Sequence, residues 1–165
     1  MFIFGHLGIT LGVMLLINFL IKRKFDYRFV LMGAILSDFD KVIGFLLTDI
    51  HNGRIILHTV LFAGVMSIIS AIKRSKILIS LTSGIWMHLL LDQLWGDPQT
   101  LFWPLYGIFQ PLQGFQLTDI LHNTVTQPYN LFGEIFGLLI LFAFMVRYRL
   151  YIAKKLKEFV IRGSI

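Results

Sequence analysis

The sequence predicts an all-α protein: a polytopic membrane helix bundle of about five transmembrane helices, N-terminus outside and C-terminus in the cytoplasm. Three observations carry this. Mean hydropathy is +0.77 and 56% of the 165 residues are hydrophobic, above the composition of an ordinary soluble domain. Five stretches, residues 2–21, 29–47, 55–72, 77–95 and 129–148, approach the roughly 20 apolar residues that a bilayer core requires of a helix. All of the 15 Lys and Arg except Lys41 and Arg54 fall on alternate ends of a path through those stretches, which the positive-inside rule assigns to the cytoplasm.

The first stretch is expected to stay as helix one rather than be cleaved as a secretory signal. No basic residue precedes it, Lys22-Arg23-Lys24 follows it, and no small-residue cleavage site is visible. With Arg28, those cations mark the turn into the second stretch, which Asp38 and Asp40 interrupt. The third opens near His58 and closes on Lys73, Arg74 and Lys76, and the fourth contains His88 and Asp92. Residues 96–128 are dense in aromatics, Pro and Gly, with Phe102-Trp103-Pro104 at their centre. That composition suits an external re-entrant or interfacial cap better than a sixth span. The fifth stretch ends the single domain, residues 1–148. A basic cytoplasmic tail, residues 149–165, carries Leu150, Ile152, Leu156, Phe159 and Val160 among its charges. It is an interfacial amphipathic helix or a solvated anchor. There is no internal repeat and no low-complexity tract.

The absence of cysteine removes disulfides and thiolate ligands and leaves imidazole, carboxylate and backbone oxygen to hold any metal. The net charge of +6 does not indicate nucleic acid, because the basic residues lie at membrane edges rather than in a patch interleaved with aromatics. The expected surroundings are the lipids of a cell membrane. Nothing in the residue pattern specifies an oligomeric state.

The informative residues are those an apolar helix can least tolerate: Asp38, Asp40, His58, His88 and Asp92. A charged carboxylate at the centre of a span costs at least about 2.5–3.5 kcal/mol, and a bound metal is the simplest compensation. His88 and Asp92 are four residues apart, which places them on one helix face as two ligands or as a buried hydrogen-bonded pair. Asp38 and Asp40 point about 200° apart on a regular helix. Both reach one site only if the backbone is irregular there, which the flanking Gly33 and Gly44 permit; alternatively one of them ligates and the other orients a ligand histidine. Lys41 is an ion-pair partner for Asp40. Arg54 either holds a phosphate or anchors at the headgroups. His6 and Glu134, at the outer ends of helices one and five, are further ligand candidates, whereas His51 and His122 fall in loops and are expected to be solvated. In the predicted orientation all five His, with Asp92, Asp49, Asp97, Asp119 and Glu134, lie outward. A shared site would therefore open to the extracytoplasmic face.

Taken in order, Gly5-His6-Leu7, Leu36-Ser37-Asp38-Phe39-Asp40, Arg54 to His58-Thr59, and His88-Leu-Leu-Leu-Asp92 leading to Trp103-Pro104 resemble the YdjM-like family of predicted membrane-bound metal-dependent hydrolases, archaeal members above all. The resemblance covers residues 5–135. This chain has Ser37-Asp38-Phe39-Asp40-Lys41 where the family carries a Pro-Asp-x-Asp-His-like segment, and Gly53 where a His is frequent. The order Asp, His, His-x-x-x-Asp is more faintly similar to zinc-dependent phospholipases C, which implies His58, His88 and Asp92 around one metal, with Asp38 and His6 serving a second. The resemblance implies one or more divalent ions, zinc being expected, and hydrolysis of a phosphoester of a lipid or other membrane-adjacent substrate by a metal-activated water. Asp38 or Asp40 would accept the water's proton and Arg54 would offset phosphate charge. The rival readings are a transporter or channel for metal ions or protons, and a structural protein whose metal ties helices together. A pathway would have to cross cytoplasmic halves that offer only Asn18, Ser67, Ser70, Ser80, Thr82 and Ser83.

Overall fold

Apolar sequence sets the outside of this bundle and small or polar residues set its inside. The computed structural model describes residues 2–41, 43, 53–109 and 117–163; Gly44, Asp49 and His51 lie outside them. Among the described residues there are eight α-helices and no strand: α1 (Ile3–Ile21), α2 (Tyr27–Leu36), α3 (Val60–Lys73), α4 (Lys76–Leu91), α5 (Pro98–Leu101), α6 (Leu117–Thr126), α7 (Pro128–Arg147) and α8 (Ala153–Arg162).

Among the described residues only α1 and α7, at 19 and 20 residues, are continuous helices long and apolar enough to cross a bilayer. The other three expected spans contain shorter helices of 10, 14 and 16 residues, and the reason is local. α2 stops where Asp38 N–H turns back to the Ile35 carbonyl and Asp40 N–H to the Ser37 carbonyl, at 3.1 and 3.0 Å. Bonds of this i to i+3 kind tighten the helix. α3 starts late because the Thr59 hydroxyl accepts from Phe62 N–H at 3.0 Å, an N-cap that ends the preceding 3₁₀ turn Ile56–His58. α4 ends at Leu91, and Gln93 then takes a left-handed conformation (φ 51°).

The helices pair by direction. α2 and α4 run parallel: at their starts Asp26 N–H donates to Ser80 Oγ at 2.8 Å, and at their ends the His88 ring meets the Ala34 carbonyl. Between these points Gly33 and Gly84 let the backbones touch, since a Cβ on Gly33 would strike the Leu81 carbonyl and one on Gly84 the Val30 carbonyl. α1 and α7 are parallel by the same device, Gly8 lying against Gly137. Close approach through small residues is how helices associate where lipid removes the hydrophobic drive. α3 runs antiparallel to α4, joined by Ser70 to Thr82 at 2.8 Å and Trp86 Nε1 to Ser67 Oγ at 2.9 Å. α1 turns into α2 through residues 22–26, and Asn18 Nδ2 donates to the Tyr27 hydroxyl at 2.8 Å.

The outward faces are apolar. On α7, Phe132, Phe136, Leu139 and Phe142 are exposed, while the buried interior holds His6, Asp40, His58, His88 and Asp92 beside a cluster of Leu11, Met14, Phe25, Tyr27, Val30 and Phe144. The tail is helical from Ala153 to Arg162 and folds back: Arg28 donates to the Val160 and Ile161 carbonyls, both at 2.7 Å, and Tyr27 N–H to the Gly163 carbonyl at 2.8 Å.

Candidate metal centre

Directional alternation brings five donor residues to one end of the bundle. They are His6 near the start of α1, Asp38 just beyond α2, His58 ahead of α3, His88 in the last turn of α4, and Asp92 as the α4 C-cap. Their donor atoms form two overlapping triads, His6 with Asp38 and His88, and His58 with His88 and Asp92, each set within 4.8 Å of one another. Every one of these side chains is buried except that of Asp38, which is 22% exposed and so marks the open side.

The hydrogen bonds behind the rings determine what the rings present. His88 Nδ1 lies 2.7 Å from the Ala34 carbonyl, which can only accept, so Nδ1 carries the proton and donates. His58 Nδ1 lies 3.0 Å from Asp40 Oδ2, an oxygen that also accepts from the backbone N–H groups of Ile55 and His58, at 3.0 and 3.1 Å. Two backbone N–H groups already mark that oxygen as an acceptor, so His58 Nδ1 donates to it as well. With each Nδ1 turned to an acceptor, the two Nε2 atoms face each other across 3.3 Å. Two lone pairs at that distance repel, so the contact requires a proton or a metal ion between the nitrogens. Two nitrogens bound about 2.0–2.1 Å from a tetrahedral zinc are about 3.3–3.4 Å apart, so the spacing fits a shared ion.

The carboxylates complete the donor set. Asp92 Oδ2 is 3.9 Å from His58 Nε2 and 3.8 Å from His88 Nε2, and Asp38 Oδ1 is 3.7 Å from His88 Nε2. His6 stacks on His88 with ring centroids 4.1 Å apart, and its Nε2 approaches Asp92 Oδ1 at 3.0 Å. Neither His6 nitrogen has a partner with hydrogen-bond geometry among the described residues. Buried polar atoms left so cost about 1–3 kcal/mol each, which suits a site built for a ligand. His88 has one free lone pair and can serve one ion only, so the two triads are alternative shells around His88.

The other expected residues take different places. Asp40 holds His58 from behind rather than facing the centre, which answers the question that the Asp38 and Asp40 spacing posed: the irregular turn at Ser37 lets one carboxylate face His88 and the other the back of His58. Lys41 pairs with Asp38 and not with Asp40. Arg54 Nη2 sits 3.1 Å from Asp92 Oδ2, with the arginine side chain 34% exposed at the rim. Glu134 is drawn away from the centre, because its oxygens accept from the N–H groups of Phe2, Phe4 and Gly5 at 2.8–3.0 Å. A carboxylate there satisfies the open end of α1 and its dipole, and the apolar pattern carries no signal for that partner. His122 is exposed on α6. Sequence reasoning missed Thr10, buried one turn along α1 from His6 with its hydroxyl unpartnered among the described residues, and the Ala34 carbonyl that sets the His88 tautomer. The Thr10 spacing of i+4 from His6 was a usable signal; a backbone carbonyl leaves none.

A family model described as YdjM inner membrane protein matches residues 1–157. None of the curated proteins and none of the solved structures compared with the chain matches it.

Proposed function

Because the chain belongs to the YdjM inner membrane protein family, we propose that it is a multi-pass membrane hydrolase that cleaves a phosphoester of a lipid or membrane-adjacent substrate at a divalent-metal centre, with zinc as the metal. In this reading α1, α2, α3, α4 and α7, with the irregular turns that extend the shorter ones, make five passes, and the centre faces the extracytoplasmic side. The observation that carries it is the pair of Nε2 atoms 3.3 Å apart, each on a ring whose Nδ1 is turned to an acceptor.

His58, His88 and Asp92 would hold the ion, with Asp38 and His6 at the rim of the shell. A bound zinc would lower the pKa of a water to about 7 and polarise a phosphoryl oxygen. Asp38, on the open side and steadied by Lys41, accepts the proton of the attacking water. Arg54, already beside Asp92 and about a third exposed, pairs with the phosphate and offsets the charge that develops on it. Asp40 keeps the His58 ring in the tautomer that ligation needs. The hydroxyls expected to line any onward pathway are committed elsewhere: Ser70 to the Met66 carbonyl and Thr82, Ser80 to the Lys76 carbonyl and Asp26 N–H. That supports a centre closed toward the basic end and disfavours transport.

The test is turnover of a panel of phospholipids by zinc-repleted protein. Metal-dependent release of a phosphorylated product is expected, with Arg54→Gln losing about 10²–10³-fold in turnover while retaining its metal. No turnover on any phosphoester, together with metal-dependent flux in liposomes, would refute hydrolysis.

A further inference from the structure

The end of the bundle opposite the metal centre carries a second surface with chemistry of its own. Lys155, Glu158, Phe159 and Arg162 stand at i, i+3, i+4 and i+7 along α8 and so share a face. With Arg147 and Arg149 from the end of α7 and the turn after it, that face lines a cavity of ≈ 420 Å³. Four cations face one carboxylate there, and the carboxylate is itself bound by Lys155 at 3.0 Å. Beside the cavity Ile152, Leu156 and Val160 form an exposed apolar stripe, while Phe159 pins the helix to the bundle through an edge contact with Phe144, ring centroids 5.9 Å apart.

Arg149 adds a separate observation. Its backbone is left-handed, φ 53°, a conformation that glycine adopts more readily. Lys22, Arg74 and Gln93 share that geometry, and its use here is that the Arg149 side chain can be removed to glycine without straining the turn.

An apolar stripe beside a cationic cavity, at the end of a helix long enough to cross a membrane, matches an anionic phospholipid on both counts: acyl chains beside the stripe and phosphate in the cavity. We propose that the cavity between α7 and α8 binds the phosphate headgroup of an anionic phospholipid and so holds α8 flat on the membrane surface. A cavity open to water would also accept free phosphate, so the test separates the two sources.

Full-length protein is released from detergent micelles containing equimolar phosphatidylglycerol and phosphatidylcholine, and retained lipid is measured by native mass spectrometry. Phosphatidylglycerol is retained in preference, and Arg149→Gln with Arg162→Gln lowers its retention about tenfold. Lys154→Gln with Lys157→Gln removes the same amount of charge from α8, outside the cavity lining, and leaves retention in place. Arg149→Gly, which suits the observed φ, keeps thermal stability while losing lipid; a purely structural arginine would not give that combination. Equal loss in the two double variants, or no preference for phosphatidylglycerol, overturns the site. Displacement of the lipid by millimolar inorganic phosphate overturns the lipid as occupant.

Discussion

Asp40 shows why a residue's chemistry cannot be read without its partner. It is 1% exposed, and one of its oxygens gathers two backbone N–H groups and the His58 ring. In the proposed centre that contact turns His58 Nε2 toward the metal. Asp40→Asn should therefore weaken metal binding about 10–100-fold in a chelator-competition titration, without removing a ligand; unchanged affinity would show that His58 does not depend on it. The presence of His58, His88 and Asp92 in the site was legible because ionisable groups inside apolar stretches have few reasons to be there. Their division of labour was not. The structure gives Lys41 to Asp38 and Glu134 to the start of α1 for one reason: both are charges whose partner is chosen by which helix ends meet, and chain spacing does not record that.

At the scale of elements, apolar runs were legible and their interruptions were not. The Thr59 cap and the left-handed Gln93 shorten α3 and α4 without breaking the hydropathy pattern. The parallel pairing of α2 with α4 and of α1 with α7 left only glycines as traces. The tail helix was one of two readings, and what makes it a packed element is the junction at Asp26. Asp26 caps α2, binds Arg28 by Nε and Nη2 at 3.0 and 2.7 Å, and through Arg28 reaches the last carbonyls of α8. The Arg28 hydrogen bonds and charge hold the Asp26 carboxyl below the ordinary carboxylate range. A depressed folded pKa gives stability that is complete above the unfolded value of about 3.9 and is lost as pH falls through the folded value. Protease release of the tail helix should accordingly rise as pH drops below about 4, measured with an acid-active protease. Asp26→Asn should show that release already at neutral pH. A tail equally protected at both pH values in both proteins would contradict the junction.

Taken whole, the molecule is polarised. Donor residues collect where α1 and α3 begin and α2 and α4 end; basic residues collect at the opposite helix ends. That separation was legible from charge alone, because the positive-inside rule and the alternating path give the same sorting. Single-cysteine labelling at positions 75 and 97 of the otherwise cysteine-free chain should report opposite sides of the membrane, with position 97 outside. Labelling of position 75 from outside would overturn the orientation while leaving the centre itself intact. The centre has its own decisive measurement, the metal content of purified wild type beside His58→Ala and His88→Ala. The geometry predicts a bound divalent ion in wild type that is lost from both variants, since each removes one of the two facing Nε2 donors. No metal in wild type, or the same stoichiometry in all three proteins, would contradict a metal centre between those rings.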